Sequence, residues 1–296
     1  MIQVERPLLI VDAQVHIWAE DTPERPWIQG GSDYAHQPEP IEATGLLSEM
    51  DRIGVDRALV VSPTWEGDRN DVVLAAAEDH PNRLGAIVRF DLKDHSNAER
   101  LELWRTDRRV FGTRVVFFRR SVDWMRDGTA DWFWPLAEQL GMPVMVLAPG
   151  QNDELSEVAK RHPDLRLTIC HLGLATSLRD AEIVPMIDRL LPLSDLPNVA
   201  VKATSLPSYV TEPFPFPALQ RQIERVVGAF GAQRVFWGSD LSRLRCEYAD
   251  LYRLFTEELD FLAGDDLEWI MGRAVCEWFD WPPTGWGAEA SEQGEV

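Results

Sequence analysis

The sequence predicts an α/β fold, a single (β/α)8 TIM barrel, and three observations support this. Short apolar segments alternate with amphipathic segments through nearly the whole chain, which is typical of parallel strands joined by helices. Eight such apolar segments occur, and eight is the strand number of this barrel. The first is followed by no glycine-rich G-x-G-x-x-G turn, so a dinucleotide-binding open sheet is disfavoured.

The eight predicted strands are apolar runs with little alternation, as expected for strands that are covered on both faces. In chain order they are residues 8–11, 57–62, 84–90, 112–117, 143–148, 165–170, 199–203 and 234–239. Helical patterns lie between them at residues 43–53, 68–80, 132–140, 152–162 and 217–230. Pro81 and Pro163 end two of these helices, because proline cannot continue a helix.

Composition bounds the class of protein. We expect one domain over residues 1–281 and a flexible acidic tail at residues 282–296. The chain carries 29 basic and 49 acidic side chains, a net charge of −20, which would repel nucleic acids and anionic membrane surfaces. Three cysteines without close spacing, and no apolar segment of about 20 residues, predict a cytoplasmic protein without disulfides or membrane spans. A homodimer is the assembly we expect.

Polar side chains collect at the carboxyl ends of the predicted strands, which is where a barrel of this kind carries its site. Side chains alternate from face to face along a strand, so Gln14 and His16 of strand one share a face. His171 ends strand six and Asp240 follows strand eight. The further candidates for a binding wall are Trp18, Trp65, Arg69, Arg89, Arg114 and Lys202.

The basic candidates predict an anionic small molecule as the ligand. Guanidinium groups bind planar carboxylates through paired hydrogen bonds, and these side chains would place positive charge over the barrel mouth of an acidic protein. Two other interpretations stay open. Arg114 and Lys202 could pair with carboxylates inside the barrel, and the tryptophans could serve packing alone. The remaining histidines are interpreted as loop or helix-end residues: His36, His80, His95 and His162.

The strand-end motifs resemble those of the amidohydrolase superfamily, in particular its amidohydrolase-related branch of lactonases, small-acid hydrolases and non-oxidative decarboxylases. In that family the first strand reads D-x-H-x-H, the sixth ends in H-x-G and the eighth ends in G-[ST]-D. The corresponding residues here are Asp12, Gln14 and His16, then His171 and Gly173, then Gly238, Ser239 and Asp240. The resemblance covers most of the chain and implies a barrel enzyme with Asp240, His171 and His16 as catalytic residues.

The resemblance also raises the question of a metal ion, because some relatives bind a divalent cation while lactonase-like relatives can work without one. Gln14 stands where the family has its first histidine, and an amide rarely ligates zinc. His16, His171 and Asp240 could supply three ligands to one Zn²⁺ or Mn²⁺ ion. Otherwise the site would use no cofactor, and both alternatives stay open.

The expected activity is hydrolysis of a small carboxylated lactone or ester. Asp240 would activate water as a general base, with His171 and His16 polarising the substrate carbonyl or transferring its proton. No G-x-S-x-G motif or plausible cysteine nucleophile occurs, which disfavours a covalent acyl-enzyme. The alternatives are a metal-assisted non-oxidative decarboxylase of the same superfamily and a barrel that has lost catalysis and only binds its ligand.

Overall fold

The computed structural model describes residues 8–33 and 35–281, and in it eight parallel strands pair in chain order around one barrel. Nearly every strand residue is buried, which explains the continuous apolar runs. The predicted (β/α)8 barrel is confirmed. The strands are β1 Val11–His16, β2 Arg57–Val61, β3 Leu84–Val88, β4 Val110–Val116, β5 Val144–Leu147, β6 Leu167–Ile169, β7 Val199–Thr204 and β8 Val235–Gly238.

Helices lie between the strands and after the last one. The five predicted helices correspond to α1, α2, α4, α5 and α7 below. The other five α-helices of the described residues lie outside the predicted ranges, among them α3, which buries few apolar residues, and α6, which is short. The α-helices are α1 Ala43–Ile53, α2 Asp71–Asp79, α3 Asn97–Thr106, α4 Phe133–Leu140, α5 Asn152–Arg161, α6 Val184–Leu190, α7 Pro217–Phe230, α8 Tyr248–Arg253, α9 Asp265–Glu268 and α10 Ala274–Trp278.

A bulge in β1 decides which of its side chains face the barrel interior. The strand runs through His16, past the apolar run at residues 8–11, as the assignment of Gln14 and His16 to strand one predicts. Its register against β2 shifts between Asp12 and Val15. Ala13 packs in the inner core, whereas Val15 packs in the outer core. In a regular strand, residues two positions apart face the same side, so Ala13 and Val15 would share a face. Here they face opposite sides, which places the bulge between Ala13 and Val15 and leaves Gln14 and His16 on the inner face.

The seam between β1 and β8 is held by the side chain of Asp12. Its Oδ1 accepts hydrogen bonds from the backbone N–H groups of Gln14 at 3.0 Å and Ser239 at 2.9 Å, and its Oδ2 accepts one from the Tyr248 hydroxyl at 2.7 Å. Burial raises the pKa of Asp12 to about 6. A Cβ at Gly238 would lie 2.8 Å from Asp12 Oδ1, so glycine is required there. Asp12 therefore links β1 to the residue after β8 and to Tyr248 of α8.

Apolar cores lie on both sides of the barrel wall. The inner core includes Met145, Cys170 and Phe236, and residues of and after α10 close its lower end, where Trp281 packs against Arg57 at the start of β2. All three cysteines are free, as expected. No helix in the described residues has the length and apolar character needed to cross a membrane. The predicted acidic tail lies outside the described residues.

Candidate active site

A cavity of about 1190 Å³ lies at the carboxyl ends of the strands, where barrels of this kind carry their active sites. Its floor contains His16 at the end of β1, His171 directly after β6 and Asp240 directly after β8. The volume slightly exceeds the usual range of small-molecule sites, about 300–1000 Å³. Its walls include His36, Trp65, Arg89, Arg114, Leu147, Arg179 and Arg243.

The three predicted catalytic side chains meet on this floor. Asp240 Oδ1 lies 3.4 Å from His16 Nε2, and Asp240 Oδ2 lies 3.7 Å from His171 Nε2. Each of the three residues is at most 3% exposed. Residues that are far apart in sequence thus converge as the sequence predicts, while their catalytic roles remain predictions.

Burial decides the charge of these groups. It lowers the pKa of His16 to about 3 and the pKa of His171 well below its ordinary value, because a charged imidazole would lose its hydration. Burial by itself would raise the pKa of Asp240, but interactions with His171, His16 and Arg243 outweigh it and hold that pKa below its ordinary value. At neutral pH the floor therefore holds one carboxylate and two neutral imidazoles.

Hydrogen bonds fix the protonated nitrogen of His16. Its Nδ1 lies 2.7 Å from the carbonyl oxygen of Val61, which only accepts, so Nδ1 carries the hydrogen and Nε2 presents a lone pair. His171 Nδ1 lies 2.7 Å from Thr204 Oγ1, a hydroxyl that can donate or accept. His16 is therefore suited to accept a proton. Polarisation of a substrate carbonyl by His16 does not fit this arrangement.

The backbone is left-handed at two of these positions, with φ of 53° at His171 and 49° at Asp240. This conformation costs roughly 1–2 kcal/mol for a residue with a Cβ, and it persists where neighbouring contacts hold it. One such contact is the Asp240 N–H, which donates to Gln14 O at 2.9 Å. The chain turns sharply as it leaves β6 and β8, and both side chains remain over the end of the barrel.

Gln14 lies beneath the floor and contacts all three floor residues. Its Nε2 is 3.2 Å from Asp240 Oδ1 and 3.4 Å from the Nε2 atoms of both His16 and His171. Its Oε1 accepts a hydrogen bond from Nζ of Lys202 in β7, whose pKa burial lowers to about 8. Gln14 and Lys202 are fully buried and do not line the cavity. The structure places both residues below the floor and not on the cavity wall, and their predicted contact with substrate stays a prediction.

Arg114 of β4 is a buried cation on the cavity wall, as predicted, and is only 3% exposed. Its Nε has no hydrogen-bond partner among the described residues. No carboxylate of residues 8–33 or 35–281 forms an ion pair with its guanidinium. The structural ion pair that the sequence analysis left open for Arg114 is therefore not found within these residues. An unpaired buried charge costs several kcal/mol. Arg114 therefore presents a buried positive charge to the cavity.

The other predicted wall residues divide into two groups. Arg89 and Trp65 line the cavity, in agreement with the sequence. Trp18 does not, because it packs edge-on behind Trp65 with ring centroids 5.2 Å apart. Arg69 is also outside the cavity, since its Nη1 donates to Pro26 O at 2.8 Å. The structure therefore places Trp18 and Arg69 outside the cavity lining, and their substrate-binding role stays a prediction.

His36 is a cavity residue that the sequence did not reveal. Its Nδ1 lies 2.7 Å from Ser242 Oγ, and its ring centroid is 4.7 Å from that of Trp65 and 5.8 Å from that of His16. Burial lowers the pKa of His36 to about 4, so the imidazole is neutral at pH 7. The residue belongs to the long connection between β1 and α1, where no periodic pattern indicates which side chains turn inward.

The arrangement does not fit the predicted Zn²⁺ or Mn²⁺ site. Within the described ranges, no group of three His, Cys, Asp or Glu side chains could hold a metal ion. The position next to His16, His171 and Asp240 is taken by the amide nitrogen of Gln14, which is a hydrogen-bond donor and not a ligand.

A parallel barrel with a buried acid and imidazoles at the carboxyl ends of its strands has the architecture of a barrel enzyme. Comparison with protein families identifies its class further, because the amidohydrolase family model matches residues 11–291. The chain belongs to the amidohydrolase family, as the motifs of β1, β6 and β8 predict, and it is an enzyme of that superfamily.

Individual relatives agree with this assignment. L-fucono-1,5-lactonase from Burkholderia ambifaria is 28% identical over 290 residues, which covers 91% of this chain and 94% of the relative. A zinc-bound amidohydrolase structure from Burkholderia multivorans is similar with a TM-score of 0.76 and 20% identity, over 93% of this chain and 100% of that one. A probable 2-pyrone-4,6-dicarboxylic acid hydrolase from Acinetobacter baumannii, with citric acid bound, has a TM-score of 0.72 and 17% identity, over 92% of this chain and 99% of that one. The structural similarities extend to the fold alone.

Proposed function

We propose that this chain hydrolyses a small lactone that carries a carboxylate group. The observation that supports this most is the presence of two groups in one cavity: the ionised Asp240 on the floor, and on the wall the buried guanidinium of Arg114, whose Nε has no hydrogen-bond partner among the described residues. The first can take a proton from water. The second needs an anion, which a substrate carboxylate supplies through paired hydrogen bonds.

The reaction needs no covalent enzyme intermediate. A water molecule attacks the lactone carbonyl carbon while Asp240 takes one of its protons, and the tetrahedral intermediate collapses as the bond between that carbon and the ring oxygen breaks. The protonated Asp240 then returns its proton to the ring oxygen, which leaves as the hydroxyl of the ring-opened acid. Because the pKa of Asp240 lies below its ordinary value, proton transfer accompanies formation of the new C–O bond and does not precede it.

The imidazoles divide the supporting roles. His16 presents an Nε2 lone pair toward Asp240 and the attacking water. His36, a neutral imidazole on the cavity wall, donates from its Nε2 to the substrate carbonyl oxygen when the Ser242 hydroxyl donates to its Nδ1. A neutral imidazole can stabilise developing negative charge in this way.

A lactone suits this donor set better than an amide. Its leaving group is a ring oxygen that one carboxylic acid can protonate, whereas an amine needs a stronger acid at the site. The similarity to an L-fucono-1,5-lactonase supports ring opening. Arg114 adds the expectation of a negative charge on the substrate, which distinguishes it from a neutral sugar lactone.

The test compares turnover of carboxylated and neutral lactones. Purified protein is incubated with 2-pyrone-4,6-dicarboxylate, a γ-lactone carboxylate, the methyl ester of that γ-lactone, and L-fucono-1,5-lactone, and acid release is followed with a pH indicator. We expect the carboxylated γ-lactone to exceed its methyl ester about 100-fold in kcat/KM, about 2.7 kcal/mol of differential binding. Asp240→Asn should lower kcat at least about 1000-fold, about 4 kcal/mol.

Three outcomes would contradict the proposal. Release of CO₂ without a ring-opened product would indicate a decarboxylase. Binding of a carboxylated lactone without turnover, and with the same affinity in Asp240→Asn, would indicate a barrel that only binds. A preference for the methyl ester over the free acid would remove the carboxylate from the substrate.

A further inference from the structure

Lys202 is a fully buried amine in β7. It is 0% exposed, it lies in the middle of β7, and none of the ion pairs within the described ranges includes it. Its contacts are the Gln14 side-chain oxygen, the Met145 sulfur at 3.0 Å and the thiol of Cys170. Burial of an ammonium group without a carboxylate costs several kcal/mol. A function of Lys202 that acts through its contact with Gln14 would explain why this cost is tolerated.

We propose that Lys202 and Gln14 together take the place of a divalent metal ion in this chain: Lys202 fixes the Gln14 amide so that its N–H groups hold Asp240 and the two floor imidazoles. This pair is a positioning device and keeps the site free of metal. The inference does not depend on which substrate the cavity takes.

The orientation of the Gln14 amide follows from the chemistry of lysine. A lysine ammonium group has three donors and no acceptor, so the amide atom that faces Lys202 Nζ is the oxygen. The amide nitrogen must then face the floor, where it lies 3.2 Å from Asp240 Oδ1. With the amide turned over, two donors would meet at Lys202 and two acceptors would meet at Asp240. Lys202 therefore locks a group that could otherwise rotate.

The acceptors on the floor converge on this amide. His16 Nε2 carries a lone pair because its Nδ1 hydrogen is used by Val61 O, and it lies 3.4 Å from Gln14 Nε2. His171 Nε2 lies at the same distance, and it is likewise an acceptor when His171 Nδ1 donates its hydrogen to the Thr204 hydroxyl. With the Asp240 carboxylate, the amide hydrogens face groups that would ligate zinc in another protein.

A divalent cation is disfavoured at this place for two reasons. The amide hydrogens point at the space between the ligand-type atoms, and an N–H group repels a cation that it cannot coordinate. The Lys202 amine lies directly behind the amide and adds positive charge when protonated. Removal of both features should turn the same three acceptors into metal ligands.

The experiment measures metal binding directly. Wild-type protein, the double variant Gln14→Ala/Lys202→Met, which adds no new ligand, and the surface control Lys160→Met are incubated with excess Zn²⁺ or Mn²⁺, desalted, and assayed by elemental analysis, with thermal melting to confirm folding. Lys160 is a matched control because its side chain is 56% exposed. We expect wild type and control to retain less than about 0.1 equivalent of metal, and the double variant to retain about one equivalent of Zn²⁺. Asp240→Asn, added to the double variant, should abolish that binding.

Two results would overturn the inference. One is wild-type protein that retains one equivalent of Zn²⁺, lost in Asp240→Asn. The other is a folded double variant that stays free of metal, because Lys202 and Gln14 would then not be what keeps the ion out.

If the double variant fails to fold, the wild-type measurement still decides, together with NMR of the Gln14 side-chain amide. Hydrogen exchange of this amide should be slowed in wild type. Exchange at the rate of an exposed glutamine would contradict the inference that Lys202 fixes the orientation of the Gln14 amide. Neither readout requires turnover, so this test is independent of the lactone assay.

Discussion

The floor and the wall of the cavity hold their buried polar groups in different ways. On the floor, Asp240 accepts a hydrogen bond from Gln14 at 3.2 Å and lies 3.4 Å from His16. On the wall, Arg114 is buried to a similar degree, yet within the described residues its Nε has no hydrogen-bond partner. The two regions line the same cavity and their polar groups are similarly buried. The degree of burial therefore does not explain the difference.

The difference separates two tasks that an enzyme must perform. Groups that are already paired in the free protein keep a fixed geometry, which suits proton transfer because little reorganisation is needed when substrate arrives. A group that is buried without a partner destabilises the free protein and gains most when a ligand of opposite charge arrives. The floor is therefore organised for chemistry and the wall for recognition.

The strongest test of this difference is Arg114→Met, which removes the wall charge and keeps an apolar stem. We expect KM for a carboxylated lactone to rise about 100-fold, about 2.7 kcal/mol, with kcat changed little. Stability should change in the opposite direction, with a free energy of unfolding about 1 kcal/mol higher or more, because an unpaired buried charge is gone. Steady-state kinetics and urea denaturation measure the two effects.

A matched arginine separates the wall from the surface. Arg161→Met in α5 removes an exposed guanidinium whose one hydrogen bond within the described part of the chain is to the Glu157 carbonyl. Neither KM nor stability should therefore change appreciably. The comparison fails if Arg114→Met destabilises the protein while its affinity for the carboxylated lactone stays at the wild-type value.

A second test addresses His36. Substitution by glutamine or by asparagine distinguishes the roles of its two ring nitrogens. The amide nitrogen of glutamine can reach the position of Nε2, while that of asparagine reaches only the position of Nδ1. If His36 donates to the substrate carbonyl, His36→Asn should lower kcat about 30-fold, about 2 kcal/mol, and His36→Gln should recover much of that loss. Equal losses in both variants, or greater activity in His36→Asn, would assign His36 to packing against Trp65.

The sequence predicts the positions of the floor residues better than the way they are supported. Strand number and strand order place His16, His171 and Asp240 at one end of the barrel, because the carboxyl ends of parallel strands meet there. The left-handed turns at His171 and Asp240 and the bulge in β1 have no signature in single residues. They depend on contacts between strands that are far apart in sequence, such as the bond from Asp240 N to Gln14 O.

The wall was less predictable than the floor. Arg69 and Trp18 follow strand ends as Arg89 and Trp65 do, yet a carbonyl in one case and a neighbouring ring in the other hold them outside the cavity. His36 reaches the cavity from a long connection, which sequence periodicity does not describe. Loop side chains are placed by contacts that form only after the barrel is built, so their positions depend on the whole fold.

The smallest expected effect concerns pH and stability, and it tests whether the wall histidine is buried as tightly as the floor. Burial lowers the pKa of His36 to about 4, so between pH 6.5 and 4 the unfolded chain binds a proton that the folded chain does not. The free energy of unfolding therefore decreases as the pH falls through this window, and this histidine accounts for about 2 kcal/mol of the loss between pH 7 and pH 5.

His36→Gln and His36→Asn both remove the titrating group, so urea denaturation should show that each variant loses about 2 kcal/mol less than wild type over that interval. Because the two variants share this effect but differ in kcat, the pair separates the charge of the imidazole from its hydrogen bonding. An unchanged pH dependence in both variants would mean that His36 is hydrated in the folded protein, and the donor role assigned to it on the wall would lose its basis.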